Sequence, residues 1–200
     1  MNRRKAVMIA LGALVAGAAA VVYAQNDGGN SPRGPASGTA IAAGESKGQA
    51  PEPSYDFNAL PEPVRRMLER IAEAAQSGKI ENMRPVLESN ELKPMVATDY
   101  VEDPIAFWKK GSADGAGRDV LAAMLNVMSS GFLRVGQGSD EMYVWPYFAE
   151  ADLSKLTPAQ EVELYRVVSP SLAIPMKKEG KYSYYRLGIS PSGVWHYFIQ

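Results

Sequence analysis

An α+β fold is predicted by three features of the chain. Residues 61–130 carry apolar side chains at helical spacing, residues 132–199 carry short strand-like runs, and Pro191-Ser192-Gly193 separates the last two runs as a turn. The expected architecture is a helical N-terminal half packed on a small antiparallel sheet that ends in a C-terminal β-hairpin.

The first element is a leader. Arg3, Arg4 and Lys5 precede an apolar run from Ala6 to Val22, which closes on Val22-Tyr23-Ala24. Charged start, apolar middle and small-residue exit describe a secretory signal, with cleavage after Ala24 leaving Gln25 first. A retained anchor is the alternative, since about 20 apolar residues span a bilayer. Arg3-Arg4 also raises twin-arginine export, but Lys5-Ala6-Val7 lacks the large apolar residues usual after the pair, so general secretion is expected. Residues 25–56 then read as a flexible linker, rich in Gly and Pro and poor in large apolar side chains. One globular domain is expected over 57–200.

Within that domain Pro61-Glu62-Pro63 opens a helix with Val64, Met67, Leu68 and Ile71 on one stripe, stopped at Gly78. Ile80, Met83, Val86 and Leu87 form a shorter stripe that Pro85 should kink or break. Asp103-Pro104 is an N-cap followed by Pro at N1, opening a short helix through Phe107 and Trp108. A helix from Arg118 to Ser130 carries Val120, Leu121, Met124, Leu125 and Met128, and Gly131 stops it. Thr157-Pro158-Ala159-Gln160 is a capping box leading a helix to about Val168.

Strands are expected at Phe132–Val135, at Met142–Phe148, and at Lys181–Ile189 and Val194–Ile199. Pro146 demotes the second to an edge or a bulge. In the final hairpin a three-residue loop pairs Ser190 with Val194 and Leu187 with Tyr197. Tyr185, Leu187, Ile189, Trp195, Tyr197 and Ile199 then share the core face. Tyr184, Arg186, Gly188, Val194, His196 and Phe198 share the other. A two-residue loop would slip the register by one and mix polar with apolar partners.

Composition excludes several functions. The chain has no cysteine, which removes thiol catalysis, thiolate metal sites and disulfide scaffolding. Its one histidine makes a transition-metal site a poor expectation, and neither metal nor cofactor is expected. Loss of the three leader cations would take the net charge from −1 to −4, with no basic block, so nucleic acid and membrane contact after cleavage are not expected.

Candidate ligand-binding residues are Tyr184, Arg186, His196 and Arg118. His196 can exchange a proton near neutral pH, and Arg186 can hold an anion beside it. Ser112–Asp119 is a glycine-rich loop entering a helix, where backbone N–H groups and Arg118 suit a phosphate or carboxylate. It lacks the P-loop ending and the calcium-loop spacing; Asp114 as a helix cap is the plainer account. Tyr143-Val144-Trp145-Pro146-Tyr147-Phe148 suits either a core or a sugar-stacking groove. Glu141, Glu150 and Asp152 flank it as candidate glycosidase carboxylates, or as solvated strand ends.

Asp103-Pro104-Ile105-Ala106-Phe107-Trp108-Lys109-Lys110, Tyr143 through Glu150, Leu156 through Leu164 and Gly193 through Phe198 resemble a group of exported alphaproteobacterial proteins, mostly from rhizobia and relatives. That resemblance spans the domain and implies export, without an activity. Ser77 through Met83, Gly117-Arg118-Asp119 and Ser192-Gly193-Val194-Trp195 are similar to stretches of the SnoaL-like, or NTF2-like, fold, which implies a cone. The helix after Thr157 departs from that layout. The expected function is a non-enzymatic periplasmic domain that binds a small ligand, an envelope component or a protein partner. The alternative is a periplasmic hydrolase or isomerase with His196, Arg186 and Tyr184 in one pocket. N-terminal sequencing of periplasmic protein should begin at Gln25; an intact Met1 in a soluble cytoplasmic pool would refute export.

Overall fold

The computed structural model describes residues 52–200; the leader and most of the linker lie outside the described residues. The α1 helix (Glu62–Gln76) buries Val64, Met67, Leu68 and Ile71, the stripe that the spacing predicts, and ends at Ser77 before Gly78 at φ 68°. The Pro85 segment is broken as expected: a 3₁₀ turn over Ile80–Met83 runs into α2 (Arg84–Glu88). Asp103 accepts hydrogen bonds from the Ile105 and Ala106 amides at 2.9 and 3.3 Å, capping α3 (Pro104–Gly111). The α4 helix (Arg118–Met128) packs between α1 and the sheet. Thr157 and Gln160 complete the predicted capping box at the head of α5 (Pro158–Val167). A further helix, α6 (Pro170–Glu179), follows at once with Pro170 at its start and Gly180 as its left-handed cap. Sequence spacing missed it because Pro175 lies inside it and its apolar residues form no clean stripe.

Four antiparallel strands stand in the order β1 (Leu133–Val135), β2 (Met142–Trp145), β3 (Arg186–Ile189) and β4 (Trp195–Ile199). The α+β class is therefore correct. Pro146 does not push β2 to an edge; it ends the strand after Trp145, and β2 sits between β1 and β3. Single bridges extend both margins, Ser54 beside Phe132 and Met95 beside Tyr197. They cover backbone that would otherwise be an open edge.

The hairpin departs from the expected register at one residue. Ser190 does pair with Val194, its amide donating at 3.0 Å, and Ile189 with Trp195. Beyond these the ladder shifts: Gly188 faces Tyr197, Leu187 faces Phe198 and Arg186 faces Ile199. Two residues of β4 oppose one step of β3, which is a β-bulge at His196. The bulge reverses the alternation, so Trp195 and Phe198 are both fully buried while Tyr197 is half-buried. The predicted pairing of Leu187 with Tyr197, and the placing of Phe198 on the outer face, are corrected accordingly.

The inner face gathers Tyr143, Trp145, Leu187, Ile189, Trp195 and Phe198. Trp108 of α3 lies on it, stacked 6.3 Å from Trp195 and edge-on to Phe198. On the opposite face Leu133, Val144, Gly188 and Tyr197 form one cross-strand row. Tyr197 lies over Gly188 so closely that a Cβ there would stand 2.4 Å from its ring. Only glycine fits that step of β3.

The bulge generates a test. Urea melts should show Phe198→Ala and Trp195→Ala each losing about 3–5 kcal/mol, as for large buried aromatics. Tyr197→Ala should lose about 1 kcal/mol, because its ring is only half-covered. A severe Tyr197→Ala beside a mild Phe198→Ala would restore the unbulged ladder.

Candidate functional site

None of the four sequence candidates lines either of the two clefts beside residues 93–101. Arg118 is exposed and pairs with Asp114 at 3.2 Å on the first turn of α4. Asp114 also accepts from Ser112 Oγ at 2.6 Å and from the Ala116 amide at 2.8 Å. Asp119 accepts from the Ala113 amide at 2.9 Å and competes with Asp114 for the one Ser112 hydroxyl proton. The loop donors that suited an outside anion are thus turned onto the loop's own carboxylates. Those bonds, Ser112 first, hold the Asp114 carboxyl well below the usual range.

Tyr184 is half-buried and meets Tyr185 edge-on at 4.9 Å. Burial pushes its hydroxyl up, and the nearby Asp119 charge adds to the rise. Arg186 stands opposite Ile199 in the ladder, and its charge opposes the upward push of burial on Tyr182 and Tyr197. His196 is the bulged residue; its carbonyl accepts from the Met95 amide at 2.9 Å. Among the described residues the side chains of Tyr184, Arg186 and His196 make no hydrogen bond or ion pair with one another. The aromatic run from Tyr143 to Phe148 is core throughout, each aromatic at most 8 % exposed, which removes the sugar-stacking reading of those residues. Of the three candidate carboxylates, Glu141 pairs with Arg134 at 2.7 Å and Asp152 serves Ser154 and Lys155, so these two are engaged locally. No group of three His, Asp or Glu among the described residues could hold a metal ion.

The concave surface lies elsewhere, beside residues 93–101. A cleft of about 260 Å³ is walled by Phe107, Trp108, Val120 and Tyr185 and floored by Val96, Ala97 and Thr98, with Gly111 and Gln200 at its rim. A second, of about 230 Å³, is formed by residues 93–101 and shares Val96, Ala97 and Thr98. The sequence assigned this segment no element, because Leu92, Met95, Val96 and Tyr100 follow neither helical nor strand spacing.

Its geometry follows from one bridge. Met95 donates to the His196 carbonyl and accepts from the Phe198 amide, both at 2.9 Å, and the chain then bends away from β4. Val96, Ala97 and Thr98 are left with no backbone hydrogen bond among the described residues. The Trp108 indole N–H is buried and also lacks a described partner. The first cleft has Tyr185 as its one ionisable side chain, and burial pushes that hydroxyl upward. Apolar side chains stand exposed at the clefts, Met95 at 53 % and Tyr100 at 83 % in the second and Phe107 at 41 % in the first.

Comparison with protein-family models, with curated proteins and with solved structures gave no match to this chain.

The closed loop before α4 makes an acid-stability prediction. Asp114 ionises more readily folded than unfolded, so its contribution is present above about pH 4 and lost as pH falls below that. Urea midpoints should therefore fall between pH 5 and pH 2, and Asp114→Asn should flatten that fall. An unchanged slope would mean that the loop bonds do not favour the charged form.

Proposed function

We propose that the chain is a non-catalytic binding domain of the periplasm that holds a small ligand in the cleft between residues 96–98, α3 and Tyr185. The observation that carries this reading is the cleft itself, lined by the rings of Phe107, Trp108 and Tyr185 beside Thr98. Aromatic faces supply apolar contact area, and fixed polar groups supply orientation. The exported location rests on the leader and on the resemblance to exported alphaproteobacterial proteins. A hydrolase or isomerase built on Tyr184, Arg186 and His196 would need them around one cavity, and neither cleft is lined by them.

The test is amide chemical-shift mapping with indole and N-acetylglucosamine as probes. At least one should shift Val96–Thr98 saturably. Phe107→Ala should weaken that probe about fivefold, as expected for loss of about 1 kcal/mol of ring contact. Shifts confined to other surfaces, with Phe107→Ala neutral, would refute the cleft as the site.

A further inference from the structure

The β1 margin of the sheet, opposite the clefts, is covered by the N-terminal arm, residues 52–59. No side chain of the arm is fully buried, whereas Gly131, Phe132 and Tyr147 beneath it are. The arm is fastened by the bonds between the Ser54 and Phe132 backbones, 2.9 Å in each direction, and by the Tyr55 hydroxyl on Glu163 at 2.7 Å. The Tyr55 ring meets Tyr147 edge-on at 6.5 Å, and Phe57 tilts against Phe132 at 5.9 Å. Segments with so few buried contacts open ahead of the whole fold. Gly131 is the notch that seats the arm. A Cβ there would stand 2.9 Å from the Tyr55 ring and 3.0 Å from Pro53, so the atoms it would meet first all belong to the arm.

The carboxylate under the arm has a second tyrosine beside it. Glu163 Oε2 accepts from the Tyr55 hydroxyl, and Oε1 accepts from the Gly131 amide at 3.1 Å. Burial first, and the Glu163 charge next, push the Tyr147 hydroxyl up. That hydroxyl is buried and has no hydrogen-bond partner among the described residues. An unpaired buried hydroxyl is costly, and pairing it recovers that cost. We propose that residues 52–59 are a releasable strap with a replacement bond built in: when the arm lifts, the Tyr147 hydroxyl donates to the Glu163 oxygen that Tyr55 vacates. Glu163 then holds one tyrosine hydroxyl in either state, which lowers the cost of opening. Lifting the arm also frees the N–H and C=O of Phe132, so a covered margin becomes an open sheet edge.

The experiment is native-state hydrogen exchange on the mature chain. The Ser54 and Phe132 amides report the strap, because each donates one of its backbone bonds, and the β3 amides report the fold as a whole. In the parent chain Ser54 and Phe132 should exchange about tenfold or more faster than β3. Gly131→Ala should speed them about tenfold further while β3 stays protected, which also establishes that the variant folds. Tyr147→Phe should slow them about fivefold, the size of one net hydrogen bond, because it removes the unpaired hydroxyl from the closed state and the replacement bond from the open one. With Tyr55→Phe already in place the carboxylate is free in both states, so adding Tyr147→Phe should leave the exchange of Ser54 and Phe132 unchanged. Ser54 and Phe132 amides as protected as β3 in the parent, or β3 protection lost together with theirs in Gly131→Ala, would overturn the strap. A Tyr147→Phe that has no effect in the parent, or that slows exchange equally with and without Tyr55→Phe, would overturn the replacement bond.

Discussion

The buried carboxamide of Asn90 organises the sheet's last strand. Its Oδ1 accepts from the Trp195 amide at 2.8 Å and its Nδ2 donates to the Trp195 carbonyl at 2.7 Å. One side chain thereby imitates a neighbouring strand at the point where β4 begins. The same Nδ2 reaches the Leu92 carbonyl, so the loop leaving α2 is tied to the same atoms. An amide buried at 9 % exposure is tolerable only with such partners. With Trp195 held in place, the bulge at His196 follows, and with it the inward turn of both Trp195 and Phe198. The α3 helix docks on that pair through Trp108. The cleft beside residues 96–98 lies just past this clasp, where the loop pairs its backbone with β4 at Met95 and then bends away.

At the opposite margin Glu163 has a comparable role. Its carboxylate accepts from the Tyr55 hydroxyl at 2.7 Å and from the Gly131 amide at 3.1 Å. It joins α5, the turn between α4 and β1, and the N-terminal arm. Tyr55 and Pro53 press on Gly131, where a Cβ would lie 2.9 Å from the tyrosine ring. Burial and the Glu163 carboxylate push the Tyr55 hydroxyl up to about 12. The arm therefore belongs to the folded domain from Ser54 onward, whose backbone pairs with Phe132 at 2.9 Å in both directions.

These two clasps assign different work to the two ends of the sheet. The Ser54 end is tied by polar contacts to helix and turn, with Tyr147 and Phe132 buried there and Tyr55 half-exposed over them. At the Met95 end Met95, Tyr100 and Phe107 stand exposed.

Much of the helical layer was legible in the chain itself, because a helix is specified by neighbours three and four residues apart. The α1 stripe, the break at Pro85, the Asp103 cap and the Thr157 capping box all need only local spacing and local hydrogen bonds. The turn at Pro191-Ser192-Gly193 is likewise local, and its first two ladder pairs were legible. What lies beyond depended on partners far away in sequence. The bulge at His196 requires Asn90, more than a hundred residues earlier, and the inner position of β2 requires β3 to arrive beside it. The candidate site was hidden for the same reason. Tyr184, Arg186 and His196 follow one another by strand alternation, and a single extra residue in β4 ends that alternation. Residues 96–98 carry no motif; they become a cleft wall only because Met95 is pinned to β4 while α3 and Tyr185 close in from elsewhere.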